Sequence, residues 1–177
     1  MSEISKALEE CGALQFGEFT LASGAKSDYY INIKKASTNP KVLYLISQLM
    51  AEKMQTDNIR PDRIAGIVLG SIPLAAALSM ATGIPYVMVR KEQKDHGTQQ
   101  LIEGDLNKGE KVLVVEDVIT TAGSSVKAIA VLRENGAVVS DIISVVDREG
   151  GGKENLAGIG VKLTSLATGT ELVKGKK

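Results

Sequence analysis

Short apolar runs alternate with amphipathic segments through most of the chain, which is typical of a parallel sheet covered by helices on both faces. The predicted strands are 63–69, 85–89, 111–115 and 137–146, and a fifth is expected at 161–165. Helices are predicted between them at 74–81 and 123–134. The pattern therefore indicates an α/β fold with a central, mostly parallel sheet.

The first 54 residues follow a different pattern. A short helix is predicted over 2–11, with Ile4, Ala7, Leu8 and Cys11 on one face, and a longer one over 40–54. Between them, 16–21 and 29–33 are predicted as two strands. Two strands cannot bury a core alone, so we expect them to form a lid over another part of the molecule.

Ligands of parallel sheets bind at the carboxyl ends of the strands. Four polar or glycine-rich segments stand at those predicted ends: 69–73, 90–97, 116–125 and 147–152. We therefore expect the functional site to be assembled from these four segments.

Composition narrows the class of protein. The chain has 177 residues, 44% of them hydrophobic, and its 21 basic and 21 acidic residues cancel, so bulk attraction to nucleic acid or a membrane is not expected. A single cysteine excludes an intrachain disulfide and favours a reducing, cytoplasmic compartment. Cys11 is interpreted as a plain buried residue rather than a reactive thiol. The amino-terminal segment is not typical of a signal peptide, and no apolar run has membrane-spanning length.

The segment 111–126 carries the strongest chemical signal. Apolar residues 112–115 lead into the adjacent carboxylates Glu116 and Asp117, and small hydroxyl residues and glycine follow before a helix. A strand, tight loop and helix aim backbone N–H groups at one point, where a phosphate is favoured. Paired carboxylates suit hydroxyl groups or Mg²⁺. The alternative is that the acids merely end the strand and the hydroxyl residues form an ordinary helix N-cap.

This segment contains neither GxxxxGK[ST] nor a GxGxxG after the strand. It resembles instead the phosphoribosyl pyrophosphate (PRPP) motif of the type I phosphoribosyltransferases. That resemblance implies that Glu116 and Asp117 hold the ribose hydroxyls and that the following loop cradles the 5-phosphate.

The segment 90–97 lies in a stretch of about twenty residues without periodicity, and loops of that length are usually functional or disordered. It contains Arg90, Lys91, Lys94 and His96, four potential cations that suit a pyrophosphate. A solvated charged loop is the alternative, because acidic residues at 92 and 95 neutralise part of the charge.

The same segment, RKEQKDHG, resembles the catalytic loop of the orotate phosphoribosyltransferase family. FTLASGAKSDYYIN at 19–32 and DREGG at 147–151 resemble two further motifs of that family. With the PRPP motif, four motifs occur in the expected order over 19–152. The resemblance implies a type I phosphoribosyltransferase-like fold, a single domain over 1–177, with residues 1–36 and a carboxyl-terminal segment forming a small hood.

The resemblance also implies a reaction, in which PRPP and orotate give orotidine 5-phosphate and pyrophosphate with Mg²⁺. Mg²⁺ is expected to bind through PRPP, with Asp117 as the candidate protein ligand. A homodimer with shared active sites is implied. The implied catalytic residues are Lys94, His96 and Asp117, and the implied orotate contacts are Thr120, Arg148, Tyr29 and Lys26. The implied PRPP contacts are Arg90, Lys91, Lys94, His96, Glu116, Asp117, Val118, Ile119, Thr120, Thr121, Ala122, Gly123 and Ser124.

The sequence leaves alternatives open for several residue roles and for the function. Arg148 offers a planar pair of donors to the orotate carboxylate, and the alternative is an ion pair with Asp147 or Glu149. Tyr29 or Tyr30 is expected near the base or in plain packing. Some family members carry lysines at the positions of Ala22 and within the turn 70–73, which this chain lacks, and Lys26 is a candidate substitute for the first. Transfer to another base, or PRPP binding by a non-catalytic regulator, are the alternative functions.

Overall fold

The computed structural model describes residues 2–20, 26–90 and 101–174, and within them the chain forms eight strands and seven helices. The strands are β1 Leu14–Thr20, β2 Lys26–Ile31, β3 Arg63–Ile67, β4 Tyr86–Val89, β5 Ile102–Glu103, β6 Lys111–Ile119, β7 Val138–Asp147 and β8 Lys162–Thr168. The helices are α1 Glu3–Glu10, α2 Ile33–Ser37, α3 Pro40–Thr56, α4 Ile72–Thr82, α5 Gly123–Glu134, α6 Gly152–Ala157 and α7 Gly169–Val173.

Six of the strands form one sheet in the order β5-β4-β3-β6-β7-β8. All neighbours pair in parallel except β5, which runs antiparallel to β4 at the edge. β6 is central, and its Val114 is in register with Ala65 of β3 and Ile142 of β7. The predicted fold class, a mostly parallel sheet between helices, is confirmed.

Alternate residues of the central strands enter two separate cores. Leu113 and Val115 point to the face covered by α1, α3 and α4, where Ile46, Met50 and Leu78 are fully buried. Val112 and Val114 point to the opposite face, where α5 and α6 contribute Ile129, Leu132 and Leu156. Because both faces are covered, these strands are apolar throughout, which is why the sequence predicts them well.

β1 and β2 form an antiparallel hairpin separate from the main sheet. Leu14 and Ile31 are paired and buried in the core of α1 and α3. α1 begins after an N-cap, Ser2, whose side chain accepts a hydrogen bond from the Ser5 amide.

The structure differs from the sequence prediction in several element boundaries. β6 continues to Ile119, so the carboxylates of Glu116 and Asp117 lie inside the strand and not in a loop after it. The predicted strand 29–33 ends at Ile31, and Ile33 begins α2. α2, α6, α7 and β5 were not predicted, because elements of two to six residues are too short to show a period. In the described part of the chain, no helix has both the length and the apolar character needed to cross a membrane.

Candidate active site

The carboxyl ends of β3 and β6 form the floor of a cleft of about 480 Å³. The turn after β3 and the acidic segment of β6 meet there, as expected for two of the four predicted segments. The described residues that line the cleft are Lys34, Ile67, Val68, Leu69, Gly70, Glu116, Asp117, Val118 and Ser124.

Asp117 presents a partly exposed carboxylate to this cleft. Its Oδ1 accepts a hydrogen bond from the Val118 amide at 2.7 Å, which fixes the orientation of the group. The carboxylate also packs against the backbone of Gly70, where a Cβ would lie 2.9 Å from the Asp117 Cγ and would overlap Oδ2. Asp117 is therefore held in place while its remaining acceptor positions are available to a ligand.

Glu116 points to the opposite face of the sheet, as adjacent strand residues do, and only 6% of its surface is exposed. Its carboxylate accepts hydrogen bonds from the hydroxyls of Ser71 and Ser125, the latter at 3.1 Å. Burial raises the pKa of Glu116 to about 7, and the neighbouring charge of Asp117 acts in the same direction. Glu116 thus connects the start of α4 with the start of α5 through these two hydrogen bonds. Its implied contact with the ribose hydroxyls stays a prediction.

The loop before α5 leaves the start of the helix without a side-chain cap. Thr120, Thr121, Gly123 and Ser124 are exposed, whereas Ala122 is buried and left-handed, with φ of 63°. α5 has no side-chain N-cap hydrogen bond, so the alternative of an ordinary N-cap formed by these hydroxyls is wrong. The amides of the first turn and the positive end of the helix dipole are directed at the loop, where a phosphate would bind.

The segment after β7 supports this loop from beneath. The Arg148 amide donates to the Ile119 carbonyl at 2.8 Å, and the side chain of Asn155 donates to the Thr121 carbonyl at 2.9 Å. Gly150 packs on Thr120 so closely that a Cβ there would lie 2.7 Å from the threonine methyl group. The third predicted segment, 147–152, therefore lies against the loop before α5.

Arg148 connects β7 with the N-terminal hairpin. Its guanidinium lies 4.8 Å from the centre of the Tyr29 ring and donates to the Ser27 hydroxyl at 3.3 Å. In the part of the chain that the structure describes, Arg148 forms no ion pair, so the alternative of pairing with a neighbouring acid is wrong. Asp147 accepts from the Glu149 amide instead, and the Thr170 amide donates to Glu149, which lowers the pKa of Glu149.

Lys26 and Arg90 lie outside the cleft lining and contact other residues. Lys26 is exposed on the hairpin, where its Nζ donates to the Thr20 hydroxyl at 2.9 Å, and it lines a second groove with Phe16 and Phe19. Arg90 follows β4, with its Nε 3.6 Å from the Glu103 carboxylate. The predicted contacts Lys91, Lys94 and His96 lie outside the described residues.

Sequence reasoning missed two residues of the site. Lys34 lines the cleft from α2, a five-residue helix that has no periodic signal. Ser71 belongs to the predicted segment 69–73, but the sequence gives no direct sign of its hydrogen bond with the buried Glu116. One sequence signal does bear on the contact between Ser71 and Glu116. The apolar residues Val118 and Ile119 follow the two acids, which indicates that the strand continues and that the Glu116 side chain points inward.

The described residues of the cleft could hold Mg²⁺ only together with phosphate groups of a bound substrate. Across the described ranges, no group of three or more His, Cys, Asp or Glu side chains could hold a metal ion by itself. Asp117 offers carboxylate oxygens at the cleft, and Mg²⁺ is commonly held by one or two carboxylates together with substrate phosphates.

Comparison with known proteins agrees with this geometry. A family model for the phosphoribosyl transferase domain matches residues 33–164. Orotate phosphoribosyltransferase of Methanocaldococcus jannaschii is 48% identical over 171 residues, covering 97% of this chain and 96% of the relative. The crystal structure of orotate phosphoribosyltransferase from Aeropyrum pernix is similar, with a TM-score of 0.88, 37% identity and coverage of 97% and 96%. So is the Mycobacterium tuberculosis H37Rv orotate phosphoribosyltransferase in complex with PRPP, with a TM-score of 0.79, 30% identity and coverage of 97% and 99%. The chain therefore belongs to the phosphoribosyltransferase family and, within it, groups with the orotate phosphoribosyltransferases.

Proposed function

We propose that this chain transfers the 5-phosphoribosyl group from PRPP to orotate, giving orotidine 5-phosphate and pyrophosphate in pyrimidine biosynthesis. The observation that carries the proposal is that a partly exposed carboxylate, Asp117, and the uncapped start of α5, through Ser124, line one cleft. The relatives compared above carry the same activity in their names, and one was solved with PRPP bound.

The chemistry requires opposite charges to be stabilised at the two ends of one breaking bond. The bond between the anomeric carbon and the diphosphate breaks, and pyrophosphate leaves with the bonding electrons. A bond from a ring nitrogen of orotate forms, and the proton on that nitrogen is released. Positive charge develops on the ribose, where Asp117 accepts from the ribose hydroxyls and stabilises it electrostatically. The α5 amino terminus and the loop Thr120–Ser124 hold the 5-phosphate, so that the reacting carbon is fixed in position.

Orotate is assigned to the space beside Arg148. Its carboxylate would receive the planar guanidinium fork, which already stands next to Tyr29 and Ser27. Thr120 is the second implied orotate contact and is exposed in the phosphate loop, whereas the contact of Lys26 with Thr20 leaves its implied role without structural support.

We propose Mg²⁺ as the cofactor, carried by the diphosphate with Asp117 as the adjacent protein ligand. When bound, the ion neutralises negative charge on the leaving group. Arg90, Lys91, Lys94 and His96 are proposed, from the sequence resemblance, to supply further positive charge to the same diphosphate.

A homodimer with shared sites is proposed on the same resemblance. Its test is complementation between two variants, Lys94→Ala and Asp117→Asn, each expected to be inactive. Mixed dimers in which the loop of one subunit serves the other's site would contain one intact site and regain part of the activity. Absence of any regain under conditions that exchange subunits would contradict the shared arrangement.

We propose a cytoplasmic location from the single cysteine, Cys11, which is partly buried at the end of α1. Cell fractionation with the native chain tests this assignment. Recovery in the membrane or extracellular fraction would contradict it.

The proposed reaction is tested by following orotate absorbance with purified protein, PRPP and Mg²⁺. Loss of orotate that depends on PRPP is the expected result. Turnover with a purine or with uracil in place of orotate would instead assign the chain to another base. PRPP binding without turnover of any base would make it a regulator.

A further inference from the structure

Helix α2 carries two adjacent lysines with different surroundings. Ile33 and Ala36 are buried in the core and fix the helix against the sheet, whereas Lys34 and Lys35 are exposed. Lys34 lines the cleft with Asp117. Lys35 lies against Gly12, with its Nζ 2.8 Å from the position that a Cβ would take there. One helix therefore presents one lysine to the cleft and directs the next one away from it.

We propose that Lys34 binds the diphosphate of PRPP. This inference rests on the proposed function and adds a substrate contact that neither the family motifs nor the comparisons assign. Among the described residues lining the cleft, Lys34 is the cation, and Asp117 presents its carboxylate to the same cleft. A cleft that takes a substrate with several negative charges needs positive charge to offset the Asp117 carboxylate.

The amine of Lys34 is available for this role. Within the described ranges its side chain has no ion pair or hydrogen-bond partner, and only its carbonyl is engaged, by Ser37 and Thr38. A lysine ammonium is a flexible point charge that binds phosphate without a fixed approach direction. The exposed side chain can therefore follow the diphosphate without breaking contacts of the fold.

The position of Lys34 favours the diphosphate over the 5-phosphate. The start of α5 belongs to one face of the sheet, and α2 lies with α3 and α4 on the other. Asp117 stands between them on the floor of the cleft. With the 5-phosphate at α5 and the ribose on Asp117, the opposite end of the substrate extends toward α2 and the turn at Gly70. That turn contains no lysine of its own, so Lys34 supplies the charge there.

The test compares Lys34→Gln with Lys35→Gln. The second variant is the control, because it also removes one positive charge from α2, at the neighbouring position. Lys34→Gln is expected to raise the KM for PRPP and the inhibition constant of pyrophosphate by about tenfold or more. The KM for orotate and the inhibition constant of ribose 5-phosphate should stay near the wild-type values. Lys35→Gln should behave as wild type, and Lys34→Arg should retain most of the affinity for PRPP.

Equal constants for Lys34→Gln and Lys35→Gln would overturn the inference. So would a weakening confined to ribose 5-phosphate, which would move Lys34 to the other end of the substrate. Thermal unfolding of each variant checks that the fold is intact. If the wild-type protein fails to turn over orotate, the proposed function fails, but calorimetric titration of Mg²⁺-pyrophosphate into wild type and Lys34→Gln still decides the role of Lys34.

Discussion

The carboxylate of Asp117 rests directly on the α-carbon of Gly70, with no room for a side chain between them. This contact joins the ends of β3 and β6 and sets where the carboxylate stands in the cleft. Glycine is required at position 70 because of this close approach, since Gly70 is not among the residues with positive φ.

Gly70→Ala is therefore expected to displace the Asp117 carboxylate and to weaken PRPP binding. The KM for PRPP should rise by about tenfold, because a charge-assisted hydrogen bond to the ribose is misplaced. Gly158→Ala is the matched control, since a Cβ there meets only backbone oxygens at 3.4 and 3.5 Å. Equal steady-state constants for the two variants would contradict this use of Gly70.

Glu116 gives a prediction about pH and stability. Its pKa is raised from the ordinary value of 4.5 to about 7 by burial, so the folded protein binds a proton that the unfolded chain releases. The contribution of Glu116 to the free energy of unfolding is thus lost as the pH rises from about 4.5 to about 7, and stays lost above that. Glu116→Gln removes this dependence, so the variant should gain stability relative to wild type over that range, by up to about 3 kcal/mol.

Denaturant unfolding at several pH values measures this difference. Glu134→Gln is the control, because Glu134 is exposed at the end of α5. A constant difference between Glu116→Gln and wild type from pH 4.5 to pH 8 would show that folding does not raise the pKa of Glu116.

Arg148 is expected to act on orotate more than on PRPP. Arg148→Ala should raise the KM for orotate at least about tenfold more than the KM for PRPP, because the planar guanidinium that binds the orotate carboxylate is lost. Arg148→Lys should recover only part of the affinity, since lysine keeps the charge but not the planar pair of donors. Arg60→Ala removes an exposed arginine just before β3, at the end of the sheet away from the cleft, and serves as the control. An equal change in both constants would contradict the assignment of Arg148 to the base.

Lys94 is predicted from the sequence to stabilise the departing diphosphate. Lys94→Ala should lower kcat by roughly two orders of magnitude or more, with an unchanged unfolding temperature, because the interaction strengthens as charge develops. Lys41→Ala, an exposed lysine of α3, is the control. A near-normal kcat would mean that Lys94 takes no part in the chemical step.

The fold was predictable from the sequence where elements are long and buried. α5 has the predicted bounds, Gly123–Glu134, because its apolar residues recur with the helical period. The central strands were recognised because both faces are covered and the residues are apolar throughout. The rule that ligands lie at strand ends selects the segments that contain Gly70 and Asp117, and the structure brings these two residues into contact.

The surroundings of the individual site residues were less predictable from the sequence. Glu116 and Asp117 are adjacent carboxylates, and only strand alternation decides that one is buried with two serines while the other faces the cleft. Lys34 could not be found because its helix is one turn long and depends on tertiary packing of Ile33 and Ala36.

The central claim is that this cleft binds PRPP through Asp117, and calorimetric titration of PRPP with Mg²⁺ tests it most directly. Wild-type protein should bind PRPP, and Asp117→Asn should bind at least about tenfold more weakly, since the amide keeps the shape but not the charge. Asp105→Asn, an exposed residue before β6, should bind as wild type does. Equal affinity of Asp117→Asn and wild type, or no binding by wild type, would contradict the account.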